Sequence, residues 1–87
     1  MKVVRKPIEM IAWFTEDGIP NPIRFRIKDS GESRMTIKVD RIIKRDLEKL
    51  AGNKMIIFTC QSFIDGTERI YEVKYEHDTC KWMLFKI

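Results

Sequence analysis

The sequence contains few of the residue types that usually carry catalysis or hold metal ions. It has one histidine and two cysteines among 87 residues, too few cysteines for a disulfide scaffold. No apolar run approaches the roughly 20 residues that a membrane-spanning helix requires. Neither G-x-S-x-G, H-E-x-x-H nor a phosphate-binding glycine loop occurs. These absences predict a cytoplasmic protein that has no membrane contact, cofactor or catalytic residue.

Residues 1–87 are predicted to form a single domain, because a chain of this length can bury enough surface to fold alone. Apolar residues make up 44% and charged residues 34%, which is typical of a globular protein. Residues 1–45 carry eleven Lys or Arg against six Asp or Glu, and residues 46–87 carry six against seven. This asymmetry fits an anionic partner, and it also fits surface charge that serves only solubility.

Alternation of apolar and polar side chains dominates the N-terminal half and predicts strands. IEMIAWF (8–14) is one predicted strand, and a loop follows it. In IRFRIK (23–28), three apolar side chains face one way and three basic side chains face the other. Gly31 is predicted to close a hairpin loop after this strand. That hairpin would place Lys28 opposite Glu32, Arg26 opposite Arg34, and Phe25 opposite Met35.

The C-terminal third predicts a three-stranded antiparallel meander. Its strands are MIIFTCQS (55–62), ERIYEVKY (68–75) and KWMLFKI (81–87). Asp65-Gly66 is a strong two-residue hairpin signal, and the second turn is centred on Asp78-Thr79. These turns gather apolar side chains on one face, which supports the register. The predicted pairs are Cys60–Tyr71, Phe58–Val73, Ile56–Tyr75, Tyr75–Trp82, Val73–Leu84 and Glu76–Lys81.

Residues 41–50 are ambiguous between helix and strand. Ile43, Leu47 and Leu50 have helical spacing, and candidate caps flank the segment. Alternatively, the strand that starts at Arg34 continues into this segment. A short helix near 41–50 is favoured, because it would cover the second face of the meander. If no helix covers that face, it would form a dimer or partner interface. The edge of the terminal strand is a second candidate interface. The apolar side chains on this second face are Ile57, Ile70, Met83 and Phe85.

About five strands and one short helix predict an all-β, β-rich fold, a small antiparallel barrel of SH3-like or OB-like scale. The segments PIRFRI, IKVDRIIKR, MIIFTCQS and RIYEVKYEHDTCKWMLFKI together resemble a group of small bacterial proteins of unknown function. The likeness covers roughly residues 22–87 and consists of a strand pattern without a catalytic signature. It implies a small β-barrel of bacterial origin, and it adds no site residues.

His77 and Cys80 lie three residues apart, and Cys60 is a third candidate metal ligand. A structural zinc site needs four ligands, usually in closely spaced pairs. The predicted register separates Cys60 from the turn that the other two residues flank, so no metal site is predicted. A catalytic Cys–His pair would also need a third group to orient the imidazole. We interpret Cys60 as a small buried residue, and His77 with Cys80 as a cross-strand pair at a hairpin end.

A stripe of basic side chains is the feature that bears most on function. Clustered cations on a sheet face can bind phosphates, although such side chains are also common on the solvated face of a half-buried sheet. Trp13, Phe14 and Phe63 are candidate stacking surfaces for bases. The sequence thus predicts a non-catalytic binding module for nucleic acid; the alternatives are a protein-interaction or homodimerisation module and a small enzyme of unknown reaction. The predicted phosphate contacts are Arg24, Arg26, Lys28, Arg34 and Lys38, with Arg41, Lys44 and Arg45 following in the sequence.

Overall fold

A computed structural model describes residues 1–28 and 33–87 and shows seven antiparallel strands. They lie in one sheet in the order β3-β2-β1-β7-β6-β5-β4. The all-β prediction is confirmed, but these residues contain seven strands instead of about five, and no helix. The strands are β1 (Val3–Phe14), β2 (Pro20–Lys28), β3 (Arg34–Lys38), β4 (Arg41–Leu50), β5 (Asn53–Ile64), β6 (Thr67–Glu76) and β7 (Lys81–Lys86).

The long strand β1 curls the sheet into a half-barrel, because its two parts pair with different neighbours. Its first part pairs with β7, where Ile8 lies opposite Trp82. Its second part pairs with β2, where Glu9 lies opposite Arg26. The pairing with β7 is interrupted near Arg5, whose φ of 45° marks a bulge that sharpens the twist. The basic strand β2 and the C-terminal meander are therefore held in one sheet by β1.

Hydrogen bonds at the short link between β3 and β4 bring β3 against β5. The Ser62 hydroxyl donates to the carbonyl oxygen of Lys38 at 2.5 Å. The Tyr71 hydroxyl, 2.6 Å from Ser62 Oγ, then donates to that hydroxyl oxygen. In addition, the backbone N–H of Phe63 donates to the Asp40 carboxylate at 2.9 Å. These contacts tie the basic strands to the end of the meander.

The core fills the concave side of the curled sheet. Phe25 packs edge-on against Tyr71, with ring centroids 5.7 Å apart. Trp82 lies 4.9 Å from the Tyr75 ring and stacks on Phe58 at 5.7 Å. Such aromatic pairs add to the stabilisation that burial of their area provides. The buried apolar residues are Phe25, Ile27, Ile37, Phe58, Cys60, Tyr71, Val73, Tyr75, Trp82 and Leu84.

The predicted meander is confirmed together with its register. Phe58 lies opposite Val73, and Tyr75 lies opposite Trp82. Asp65-Gly66 forms the predicted two-residue turn, in which both residues have positive φ, at 51° and 77°. The remaining predicted pairs are also present: Cys60–Tyr71, Ile56–Tyr75, Val73–Leu84 and Glu76–Lys81.

The predicted hairpin of β2 and β3 exists, but its register is wrong by two residues. Phe25 lies opposite Ile37 instead of Met35, and Lys28 lies opposite Arg34 instead of Glu32. A two-residue shift keeps every side chain on its own face, and it places Phe25 opposite Ile37, which is buried, instead of Met35, which is exposed. Five residues, 29–33, separate the paired strand ends Lys28 and Arg34, instead of the three residues predicted. Gly31, which was predicted to close the turn, lies outside the described residues.

The predicted helix near residues 41–50 is wrong, because β4 occupies them and pairs along β5. Ala51 and Gly52, with φ of 50° and 84°, form the two-residue turn between the two strands. The helical spacing of Ile43, Leu47 and Leu50 is coincidental, since all three side chains are exposed. As a strand, the segment gives hydrogen-bond partners to a backbone edge of β5 that would otherwise be open.

A lysine covers part of the meander's second face, where the helix was expected, whereas Ile70 on that face is 48% exposed. Lys74 is only 8% exposed, and its Nζ lies 3.7 Å from the centroid of the Phe85 ring. The same ammonium group lies 3.4 Å from the Glu48 carboxylate on β4. The prediction that the terminal strand forms an open edge is wrong, because β7 lies between β1 and β6. The open edge of the meander half is β4.

Candidate nucleic-acid interface

The basic side chains of β2 project from the convex side of the sheet, because their apolar neighbours point into the core. Phe25 and Ile27 are buried, so the alternation of the strand turns the intervening residues outward. The pairing with β3 adds its outward side chains to the same surface. We call this surface the basic face; it comprises Arg24, Arg26 and Lys28 on β2, and Arg34 and Lys38 on β3, all of them exposed.

Like charges face each other across the two strands of the basic face. Arg24 lies directly opposite Lys38, and Lys28 lies directly opposite Arg34, so like charges face each other at two positions. Such pairs destabilise a sheet slightly unless an anion lies between them. They do not by themselves indicate a site, since Lys49 also faces Lys54 at the far edge of the sheet. The basic face differs from that edge because its five cations all point to one side of the sheet, whereas Lys44 and Arg45 on β4 point to opposite sides.

Glu9 on β1 supplies a counter-charge to this face. Its Oε2 accepts a hydrogen bond from Arg26 at 3.0 Å, and its Oε1 accepts one from Arg34. Both ion pairs are exposed, and pairs of this kind contribute little to stability. Within the described residues, five cations against this carboxylate leave the face positive. Reasoning from the sequence missed Glu9, although its alternation with Ile11 in IEMIAWF shows that both point to the same side.

Exposed apolar side chains border the basic face on β1. Ile11 lies directly opposite Arg24 and is 55% exposed. Trp13 is 54% exposed and points to the same side two residues further on. The surface thus combines cations with an exposed indole. A shallow groove of about 450 Å³ runs between β1 and β3, and its lining includes Glu9, Ile11, Arg24, Arg26 and Thr36.

The other candidate stacking residues lie elsewhere. The Phe14 ring packs edge-on against Tyr75 on the concave side, with centroids 5.9 Å apart. Phe63 is exposed near the end of β5. Among the three aromatic residues proposed from the sequence, Trp13 is the one that borders the basic face.

The later basic residues of the sequence are not part of the basic face. Arg41, Lys44 and Arg45 lie on β4, which follows β3 after a two-residue link but pairs with β5 instead of with β3. Arg45 turns to the concave side, where its guanidinium lies 5.5 Å from the centroid of the Phe58 ring and donates to the Asn21 side-chain oxygen. Arg45 therefore bridges two parts of the fold.

The two cysteines and the histidine do not come together. Cys60 is fully buried in the core, while Cys80 is exposed in the turn between β6 and β7. His77 and Cys80 both belong to that turn, so the predicted cross-strand pair is wrong; Glu76 and Lys81 are the last paired residues. Within residues 1–28 and 33–87, no group of three or more His, Cys, Asp or Glu is placed to hold a metal ion.

The two thiols should differ sharply in reactivity. Burial raises the pKa of Cys60 to about 12, so its reactive thiolate form is scarce at neutral pH. Titration of the native protein with Ellman's reagent should therefore modify Cys80 alone, and the second thiol should react after unfolding in guanidinium chloride. Equal reaction rates of both thiols in the native state would contradict the buried position of Cys60.

Compared with known proteins, the chain matches no family model, no curated protein and no solved structure. The resemblance to small bacterial proteins therefore stays a prediction. In the part of the chain that the structure describes, no helix has the length and hydropathy needed to cross a membrane.

Proposed function

We propose that this protein is a non-catalytic, cytoplasmic module that binds single-stranded nucleic acid through the basic face. The observation that carries this proposal is the placement of five exposed cations on β2 and β3, beside an exposed tryptophan on β1. Phosphate groups and unstacked bases are the two features of a single strand that such a surface can bind.

The cations provide the phosphate contacts. Arginine binds phosphate oxygens through two parallel N–H groups, and lysine binds them as a point charge. The strands of a sheet lie about 4.8 Å apart, so β2 and β3 present two adjacent rows of charge. A flexible strand of nucleic acid can follow such rows, and no deep cleft is required.

Trp13 provides the base contact. Trp13 lies opposite Asn21 on β2, so the indole lies just beyond the Arg24 end of the phosphate-binding rows. Stacking of one base on an exposed aromatic ring contributes about 1–3 kcal/mol to binding and depends little on base identity. Because a base must be unstacked from its neighbours to reach the ring, single strands are favoured over duplexes.

Glu9 limits the affinity of this surface. It holds the guanidinium groups of Arg26 and Arg34 in ion pairs, which a phosphate must displace. The displacement costs little, because exposed ion pairs are worth at most about 1 kcal/mol. Glu9 therefore competes only weakly with a phosphate for the two arginines.

Glu9→Gln should strengthen the binding of a single-stranded oligonucleotide. Removing the carboxylate frees Arg26 and Arg34 from their ion pairs, so affinity should rise about three- to fivefold at low salt. Fluorescence anisotropy measures this change. The melting temperature should stay nearly constant, since both ion pairs are exposed. Weaker binding by the variant would mean that Glu9 orients the arginines productively and does not compete with the ligand.

A salt titration tests the proposed function itself. Fluorescence anisotropy of labelled single-stranded RNA, single-stranded DNA and duplex DNA should be measured between about 50 and 200 mM salt. Five phosphate contacts predict that log K falls with log salt at a slope of about −3.5 for single strands. Single strands should bind more tightly than the duplex.

The same titration can reject the proposal. Absence of binding to all three probes at the lowest salt concentration would exclude nucleic acid as the ligand. A slope near zero would show that phosphates do not make the contact. Tighter binding of the duplex than of the single strands would contradict base stacking on Trp13, but it would still be consistent with phosphate binding by the cations.

A further inference from the structure

The edge strand β4 presents an open hydrogen-bonding edge, and it carries none of the residues of the basic face. Among residues 1–28 and 33–87, β4 pairs with β5 alone, and it is ten residues long. All of its residues except Ile42 and Glu48 are exposed. The other edge, β3, has five residues and is bridged to β5 through Lys38 and Ser62. A long exposed edge is a template for pairing with a further strand.

The charges on the convex side of β4 alternate in a way that suits a second copy of the same strand. Lys44, Asp46 and Glu48 point to this side, where Lys44 lies 3.3 Å from Asp46 and Glu48 lies 3.4 Å from Lys74. In an antiparallel pair related by two-fold symmetry about Asp46, Lys44 lies opposite the partner's Glu48. Symmetry repeats this contact, so two such pairs form.

In this register the repulsion between the two central Asp46 carboxylates is offset by neighbouring lysines. Asp46 meets the partner's Asp46, but each carboxylate already has its own Lys44 beside it. Counting Lys44, Lys74, Asp46 and Glu48 from both copies gives equal numbers of cations and anions on the joined surface. Shifting the register by two residues toward the C-terminus would place Asp46 opposite the partner's Glu48 and Arg45 opposite the partner's Lys49, which like charges disfavour. Shifting it by two residues toward the N-terminus would leave only residues 44–46 regularly paired, because the bulge between Ile42 and Lys44 follows.

The concave side of β4 supplies an apolar contact in the same register. Leu47 is 71% exposed and lies on this side, since its opposite residue on β5 is Ile56. It would lie opposite the partner's Arg45 and diagonal to the partner's Leu47, within reach of both. The bulge between Ile42 and Lys44 confines regular pairing to the segment from Lys44 onward.

We propose that the protein forms a homodimer by antiparallel pairing of β4 with β4 of a second copy, in the register that places Lys44 opposite the partner's Glu48. The pairing joins two seven-stranded sheets into one continuous sheet. It uses the backbone edge of β4, whereas the basic face consists of side chains on β2 and β3, so the two surfaces share no residue.

Sedimentation equilibrium without nucleic acid tests the dimer. The wild-type protein should dimerise, and Lys44→Glu and Glu48→Lys should each weaken dimerisation at least about tenfold by creating two like-charged pairs. An equimolar mixture of the two variants should recover dimers, because each Lys44→Glu chain then faces a Glu48→Lys chain and both contacts join opposite charges. If the two substitutions weakened dimerisation only by changing the net charge, and not by breaking this register, mixing the variants would not restore the dimers.

Two further variants keep the test independent of folding and of nucleic-acid binding. Leu47→Lys changes an exposed side chain, so it should leave the melting temperature nearly unchanged while weakening dimerisation about tenfold. Arg24→Glu with Lys38→Glu, on the basic face, should leave dimerisation unchanged. Because Glu48→Lys also removes the ion pair of Lys74, circular dichroism must show that both charge variants are folded. A wild-type protein that stays monomeric up to about 1 mM, wild-type dimer affinity in Leu47→Lys or Lys44→Glu, or a monomeric mixture of folded variants would each overturn the proposal.

Discussion

Replacing Trp82 by alanine should lower the free energy of unfolding by about 3–5 kcal/mol. The side chain is 8% exposed and packs against the rings of Phe58 and Tyr75, so its removal leaves a cavity at the centre of the aromatic core. A domain of this length has a total free energy of unfolding of about 4–13 kcal/mol. The melting temperature, followed by circular dichroism, should therefore fall by about 15–30 °C.

The second tryptophan provides the matched control. Trp13→Ala removes an equally large side chain from an exposed position, so it should change the free energy of unfolding by less than about 0.5 kcal/mol. Trp82→Phe should cost less than Trp82→Ala, because it retains a ring in the cavity. Equal effects of the two alanine variants would show that the meander does not bury Trp82 on its concave face.

Reversing two charges of the basic face should weaken binding of a single-stranded oligonucleotide at least about 100-fold at low salt, or about 2.7 kcal/mol. The double variant Arg24→Glu and Lys38→Glu removes two phosphate contacts at one cross-strand pair and replaces them with repulsion. Anisotropy titrations at about 50 mM salt measure the change, and the salt slope should become shallower by about 1.4.

The matched control is a second like-charged cross-strand pair. Lys49→Glu with Lys54→Glu makes the same change in net charge at the far edge of the sheet, so it should weaken binding much less. An equal loss in both double variants would show a non-specific response to net charge. Trp13→Ala should weaken binding about tenfold through lost stacking, although it leaves the charge unchanged.

The parts of the fold that were predicted correctly from the sequence depend on interactions between residues that are close in the chain. Asp65-Gly66 fixes a two-residue turn, and that turn sets the register of the strands on either side. Alternation over residues 24–28 likewise decides which side chains face outward, whatever the neighbouring strand is. This is why the five cations share one face even though the predicted β2–β3 register was wrong by two residues. The prediction that the apolar side chains of residues 23–28 all face one way is wrong for Ile23, which is 40% exposed because the pairing of β2 with β1 is irregular at this residue.

The parts that sequence reasoning missed depend on partners distant in the chain. The segment 41–50 has features of both helix and strand, and the edge of β5 decided between them. The contacts of Glu9 with Arg26 and Arg34 arise because β1 neighbours β2 and places Glu9 opposite Arg26. The sequence predicts a helix over the meander's second face, whereas Lys74 covers the part around Phe85 through contacts with strands on both sides, and Ile70 stays exposed.

The amino-acid sequence by itself determined the meander, the strand character of β2 and the direction in which each side chain of residues 24–28 points, because alternation and tight turns act over a few residues. Only the tertiary structure decided which strands form the edges, where the sheet curls, and that β4 is exposed while β7 is interior. Sheet order depends on contacts between residues far apart in the chain, and no short stretch of sequence encodes the neighbour that will complete its hydrogen bonds.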